Sequence, residues 1–111
     1  MSAKRNIDDT LAALADPYRR RAVELLSQRP RRAGELADEL GLPGPAMSRH
    51  LRTLKQSGLV EETHPEFDAR VRIYTLKTGA MADLKKWLAD TERMWTDQLA
   101  AFKAHVEKKR K

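Results

Sequence analysis

Residues 44–60 read "GPAMSRHLRTLKQSGLV", and two patterns overlap in them. At about 100° per residue, Met47, Leu51 and Leu54 share one edge of a helix. Opposite them fall Pro45, Arg49, Arg52, Thr53 and Gln56, with Ser48 on the shoulder and Lys55 on the flank. Such a helix seats a thin apolar edge on a core and keeps most of its surface for another partner. Arginine is the commonest specific reader of guanine, and Ser and Thr hydroxyls serve bases or phosphates. Residues near the N-terminus of a helix lying in the major groove reach base edges. Ser48 and Arg49 are therefore the candidate base readers. Arg52, Thr53 and Gln56 are candidates for phosphate positioning, with Pro45 exposed in the first turn. His50 flanks the apolar edge and is expected to pack there, donating to backbone.

Working upstream, Gly41-Leu42-Pro43-Gly44-Pro45 is a tight turn, and Gly41 is placed to end a helix over residues 33–40. That helix is expected to bury Leu36, Ala37 and Leu40. Asp16-Pro17 reads as an N-cap with Pro at the first helical position, opening a helix to about Gln28 that buries Tyr18, Ala22, Leu25 and Leu26. Pro30 disfavours helical geometry at Arg29 and stops it. Asn6 is positioned to cap a first helix carrying Ile7, Leu11 and Leu14 at helical spacing, after a frayed basic arm over residues 1–5. Two helices joined by a tight Gly-containing turn, the second with a polar face, make a helix-turn-helix over residues 33–57.

Downstream the period changes to two. Residues 59–63 and 71–76 read as short strands, with Pro65 and Asp68-Ala69 as turn signals between them. This hairpin, residues 59–76, sits where a wing belongs. Arg70 and Arg72 lie in it as candidates for a narrowed minor groove or for phosphate. Arg31 and Arg32 precede the third helix, either facing a phosphate or lying in a solvated loop. Residues 78–108 form one long helical pattern with Leu84, Leu88, Trp95, Leu99, Phe102 and Val106 along one seam of about six turns. Trp87 and Met94 lie on a neighbouring flank assigned to packing within the subunit. The fold class is mainly α with a small β-hairpin: a single winged helix-turn-helix domain over residues 1–111, in the order αααα-ββ-α.

Such a seam is too long to bury within one chain of 111 residues. Trp95, Leu99, Phe102 and Val106, with Leu88 and with Ile7, Leu11 and Leu14 of the first helix, are the candidate dimer interface. A self-complementary patch of this kind predicts a two-fold homodimer.

Composition agrees with a polyanion partner. The chain holds 22 Lys+Arg against 16 Asp+Glu, a formal charge of +6, which attracts nucleic acid or anionic lipid. At 34% charged residues it has a modest core. Much of the basic excess lies in residues 19–21, 29–32 and 108–111. It has no cysteine, which removes disulfides, thiolate metal sites and Cys nucleophiles. No run of about 18 apolar residues occurs and residues 1–5 lead into no signal region, so the expectation is a soluble, cytoplasmic chain without a membrane span.

The runs "LADPYRRRAVELL", "AGELADELGL", "SRHLRTLKQSGLV" and "ARVRIYTL", in that order and spacing across residues 10–76, resemble the ArsR/SmtB family of winged helix-turn-helix repressors. The resemblance implies a homodimer formed through the first and last helices. It also implies binding to a short inverted repeat in promoter DNA, with the helix over residues 44–57 in the major groove. Two departures stand out. Pro43 replaces the Ser that usually caps that helix, and Ala69 stands at the wing tip where relatives often have Gly.

Members that sense metals use thiolates in the third helix or Asp/His sets on the last. Glu35-Leu36-Ala37-Asp38 offers no sulfur, and the last helix offers His105 with scattered carboxylates, so no metal and no cofactor is expected. There is no Gly-rich phosphate loop and no nucleophile elbow, which argues against an enzyme. The expected partners are double-stranded operator DNA, a second copy of the chain and an unidentified small-molecule effector at the dimer interface. Two rival readings stay open: a protein-interaction module using the last helix, and a nonspecific DNA-packaging protein.

Overall fold

The computed structural model describes residues 7–109. Its elements, in order, are α1 (Ile7–Leu14), α2 (Pro17–Gln28), β1 (Arg31–Arg32), α3 (Ala33–Leu40), α4 (Gly44–Gln56), β2 (Val60–Thr63), β3 (Ile73–Leu76) and α5 (Thr78–Lys109). The expected arm over residues 1–5, the Asn6 cap and the last two residues of the basic tail lie outside the described residues. Contacts divide the chain into two compact units, Met1–Met81 and Ala82–Lys111.

Local chemistry sets the boundaries in the first unit. The Asp16 carboxylate accepts the N–H groups of Tyr18 at 2.8 Å and Arg19 at 3.1 Å, capping α2 ahead of Pro17. Burial alone would raise its pKa, but those two backbone bonds outweigh it and hold the group below the usual carboxylate range. Arg29 leaves α2 in extended geometry before Pro30. Glu35 accepts the Arg32 N–H at 3.0 Å at the start of α3. At its end Gly41 takes the left-handed region with φ 65°, and Leu42 N–H reaches Ala37 O at 2.9 Å. Gly58, with φ 79°, follows α4 in the same way, and Leu59 N–H reaches Leu54 O at 3.0 Å.

Between these ends the apolar faces converge. Leu36 of α3, Met47, Leu51 and Leu54 of α4, and Leu59 and Val60 at the wing base are each less than 2% exposed. Burying a residue of this size contributes roughly 1.5–3 kcal/mol relative to leaving it in water. Ala22, Val23, Leu25 and Leu26 bring α2 into the same cluster, and Ala80 adds the first turn of α5. Tyr18 is exposed rather than buried, its ring stacking on His50 of α4 instead of entering the core. In α1 the fully covered residues are Thr10 and Ala13, not the large apolar ones. Leu40 is half-buried against the core.

The sheet has three strands in the order β1-β3-β2, all antiparallel. β2 and β3 are the expected hairpin, with Glu62 opposite Tyr74 and Thr63 opposite Ile73. The third strand is unexpected: Arg31 and Arg32 pair with Tyr74 and Ile73. Two residues are too few to show a period, so no alternation marks them. Arg31 is consequently no loop residue. It is 6% exposed, donates to Gln28 Oε1 at 2.7 Å and lies 3.7 Å from Glu39.

In the second unit α5 continues as a helix to Lys109. Leu88, Trp95, Leu99 and Phe102 are 52–66% exposed and Val106 is half-buried. Trp87 and Met94 are exposed as well. No helix among the described residues is long and apolar enough to cross a membrane.

Candidate nucleic-acid interface

α4 presents its polar face as expected. Pro43 precedes it with no side-chain cap, and Met47 N–H bonds Pro43 O at 3.0 Å in the first turn. Without a capping hydroxyl, this entrance relies on the fixed φ of two prolines flanking Gly44. Pro45, Arg49, Arg52 and Gln56 are exposed, while Ser48 and Thr53 are half-buried. Arg49 and Arg52 have no ion pair or side-chain hydrogen bond among the described residues. Their guanidinium donors are therefore free for an outside acceptor, at no cost in broken internal bonds.

The two flanks of α4 differ. On the wing side Ser48, Arg52, Lys55, Glu62, Arg72 and Tyr74 line a cleft of about 110 Å³. Arg72 donates to Ser48 Oγ at 3.5 Å, a long bond that ties the shoulder of α4 to β3's approach. Lys55 donates to Glu62 Oε1 at 3.1 Å. That hydrogen bond leads the causes that hold the Glu62 carboxyl below its usual range, with the charges of Lys55, Arg72 and His64 adding to it. Glu62 was not singled out in the sequence, yet it is the one acidic group lining this cleft. Only a tertiary contact from α4 to β2 brings it to Lys55. Burial, with Glu62 nearby, raises the Tyr74 phenol.

On the other flank Thr53 and Gln56 line a cleft of about 310 Å³ with Asp9, Ala12, Ala13, Arg19 and Ser57. Thr53 donates its hydroxyl to Arg49 O at 3.3 Å, so its donor is already used. His50 is half-buried, as a packing residue is, but among the described residues it donates to no backbone group. Its Nδ1 lies 3.2 Å from Arg19 Nη1, and its ring stacks on Tyr18 at a centroid distance of 6.0 Å. The sequence reading missed that contact because 31 residues separate its members.

The wing carries its two arginines differently. Arg70, with 92% of its side chain exposed, is paired to Asp68 at 3.2 Å. The Asp68 carboxyl is held below its usual range by that side-chain bond first and by the Arg70 N–H second. Arg72 is exposed, and with Arg32 and Arg70 it borders a groove of about 440 Å³ beside Ala33, Gly34 and Glu35 of α3. Arg32 thus meets two wing arginines some forty positions further along the chain at one groove. Ala69 needs no glycine: no described non-glycine residue has positive φ. His64 Nδ1 lies 3.0 Å from Val71 O and closes the hairpin across its loop.

The candidate interface residues of α1 divide. Leu14 is half-buried against the core, whereas Leu11 is 39% exposed and Ile7 half-buried. Among the described residues no group of three His, Asp or Glu side chains is placed to hold a metal ion.

The chain's relatives agree with this geometry. Residues 16–62 match the pattern of the family described as "Bacterial regulatory protein, arsR family". The HTH-type transcriptional regulator Rv2034 of Mycobacterium tuberculosis is 37% identical over 102 residues, covering 92% of this chain and 90% of that one. The transcriptional repressor SdpR of Bacillus subtilis is 27% identical over 82 residues, covering 74% of this chain and 88% of that one. Among solved structures, an ArsR-like transcriptional regulator from Rhodococcus sp. RHA1 superimposes with a TM-score of 0.78 at 26% identity, covering 91% of this chain and 90% of that one. An ArsR family transcriptional regulator superimposes with a TM-score of 0.73 at 28% identity, covering 81% and 96%.

Proposed function

The chain belongs to the ArsR family of bacterial regulatory proteins and is a DNA-binding transcriptional regulator, and from that premise we propose that it is a homodimeric repressor acting on an inverted-repeat operator. One observation carries the reading: Arg49 and Arg52 stand exposed and unpaired among the described residues, on the helix face opposite Met47, Leu51 and Leu54. In this reading Arg49 reads a base, with Ser48 beside it, and Pro45 lies against the groove wall. Arg52, Gln56, Arg70 and Arg72 position the phosphates, and Thr53 joins them by turning its hydroxyl from Arg49 O to the DNA. Arg32, from the groove it shares with the wing, joins that second group.

Dimerisation is the second half of the proposal. Leu88, Trp95, Leu99, Phe102 and Val106 of α5, with Ile7 and Leu11 of α1, are taken to meet their copies across a two-fold axis. A row of exposed large apolar side chains on one helix is unusual for a monomer in water. Such a dimer sets its recognition helices about 34 Å apart, one turn of DNA. It works in the cytoplasm, without a metal or an organic cofactor and without catalysing a reaction. A small effector at the dimer interface is the proposed signal.

The test is a footprint on promoter DNA with sedimentation of the free protein. A dimer protecting two half-sites one helical turn apart supports the proposal. If about six phosphates are neutralised per dimer, log K against log salt slopes by roughly −5. A flat salt dependence, or equal protection of random DNA, contradicts it; a monomer that stays monomeric on DNA contradicts the dimer.

A further inference from the structure

We propose that Arg19 is a positioning residue for the recognition helix: it holds α4 to the end of α1 by donating to Nδ1 of a neutral His50, and protonation of that imidazole releases the hold. The proposal rests on the operator reading above.

Arg19 is half-buried on α2, and all three arms of its guanidinium are engaged. Nε donates to Ala13 O at 2.6 Å and Nη2 to Ala12 O at 3.3 Å, the carbonyls at the C-terminal end of α1. Nη1 lies 3.2 Å from His50 Nδ1. Carbonyls at a helix C-terminus lack intrahelical partners and carry partial negative charge. α1 has no basic residue of its own in its last turn, so the cation comes from α2. A guanidinium only donates. His50 must therefore accept at Nδ1, which places its ring proton on Nε2.

The contact matters for α4 because of where it falls. His50 is the neighbour of Arg49, and Arg52 follows within the same turn. Toward the C-terminal end of α4, an open cleft of about 310 Å³ lies between its Thr53 and Gln56 and the Asp9 and Ala12 of α1. Arg19 lines that cleft and spans from one helix to the other. Tyr18 stacks on the imidazole with 28° between the rings, which fixes its second side.

An imidazolium cannot accept at Nδ1, and it meets the guanidinium as a like charge. Among the described residues, the charged and titratable groups facing His50 from outside α4 are Arg19 and Tyr18 of α2 and the Asp16 carboxylate at the start of that helix. Asp16 attracts an imidazolium. Its Oδ1, however, is engaged by two backbone N–H groups, while Arg19 is in direct contact. Whichever charge lies nearer, a protonated Nδ1 has no lone pair left for the Arg19 donor, and the hydrogen bond is lost.

The consequence runs against the usual trend, in which added positive charge strengthens DNA binding. The experiment measures affinity for a footprinted promoter fragment at constant ionic strength from about pH 8 to about pH 5.5, the range in which imidazoles titrate. Wild type is compared with His50→Gln, whose side-chain oxygen accepts but does not titrate, and with Arg19→Lys, which keeps the charge but loses the fork. At pH 8, His50→Gln is expected within about twofold of wild type, and Arg19→Lys several-fold weaker. On acidification wild type loses about fivefold relative to His50→Gln. Long-range proton–nitrogen NMR is expected to place the His50 proton on Nε2 at pH 8. Wild type and His50→Gln tracking each other across the range overturns the proposal, as does a proton on Nδ1. Failure of wild type to bind any promoter fragment at pH 8 sinks the operator reading itself, and this proposal with it.

Discussion

Arg19 and Arg20 on α2 and Arg49 and Arg52 on α4 are the same residue type in basic stretches, yet they put their charge to opposite uses. Arg19 donates to Ala12 O and Ala13 O, and Arg20 Nη1 to Leu14 O at 2.8 Å and Ala15 O at 3.2 Å. Both are spent on closing the end of α1. Arg49 and Arg52 have no such partner among the described residues and face water. A run of basic residues therefore marks a nucleic-acid surface only where its donors are left over after the fold has taken its share. Arg19 and Arg20 contribute to net charge and to architecture; the proposal gives the DNA contacts to the two arginines of α4.

The comparison breaks most visibly in stability. Arg19→Ala orphans carbonyls at the end of α1, and its unfolding free energy is expected to fall by about 2 kcal/mol. Arg49→Ala, made on an exposed and unpaired side chain, is expected to stay within about 0.5 kcal/mol of wild type. Denaturant unfolding of the two proteins checks this, and equal losses would erase the distinction.

A finer test sets Arg52 against Arg70. Both are exposed, but Arg70 already holds Asp68. Arg52→Ala removes one phosphate contact from each protomer and is expected to reduce the salt slope of operator binding by about 2. Arg70→Ala is expected to reduce it by less, since its charge is partly matched beforehand. Equal slopes would show that the Asp68 pair opens at no cost on DNA.

The smallest effect concerns Glu62. Its carboxyl is held low by Lys55, so its stabilising contribution is present above the unfolded value, about pH 4.3, and is lost as pH falls through the folded one. Glu62→Gln is expected to be slightly less stable at pH 7, with the difference closing below about pH 4. Its DNA affinity is expected to rise about twofold, because a negative charge leaves the cleft and Lys55 is freed. An unchanged stability gap at low pH would assign the effect to packing.

How much of this was legible beforehand follows from how far each signal reaches along the chain. Asp16-Pro17, Gly41 and Gly58 end or begin helices through contacts within five residues, so the boundaries of α2, α3 and α4 follow from local spacing. The hairpin shows its alternation directly. β1 does not, since two residues carry no period and their partners lie some forty positions on. The polar face of α4 is readable as a face, because a wheel needs only local spacing. Which of its residues are tied down is not: Ser48 to Arg72, Lys55 to Glu62 and His50 to Arg19 all need tertiary contacts.

The central claim is that the exposed polar face of α4 reads sequence, and Arg49 carries it most directly. The measurement is the ratio of affinities for the footprinted operator and for random DNA of equal length, for wild type and Arg49→Ala at one salt concentration. The account predicts that Arg49→Ala loses about 10- to 100-fold on the operator, and far less on random DNA, so that the ratio collapses. An equal loss on both DNAs, leaving the ratio unchanged, would make Arg49 a phosphate contact and contradict the account.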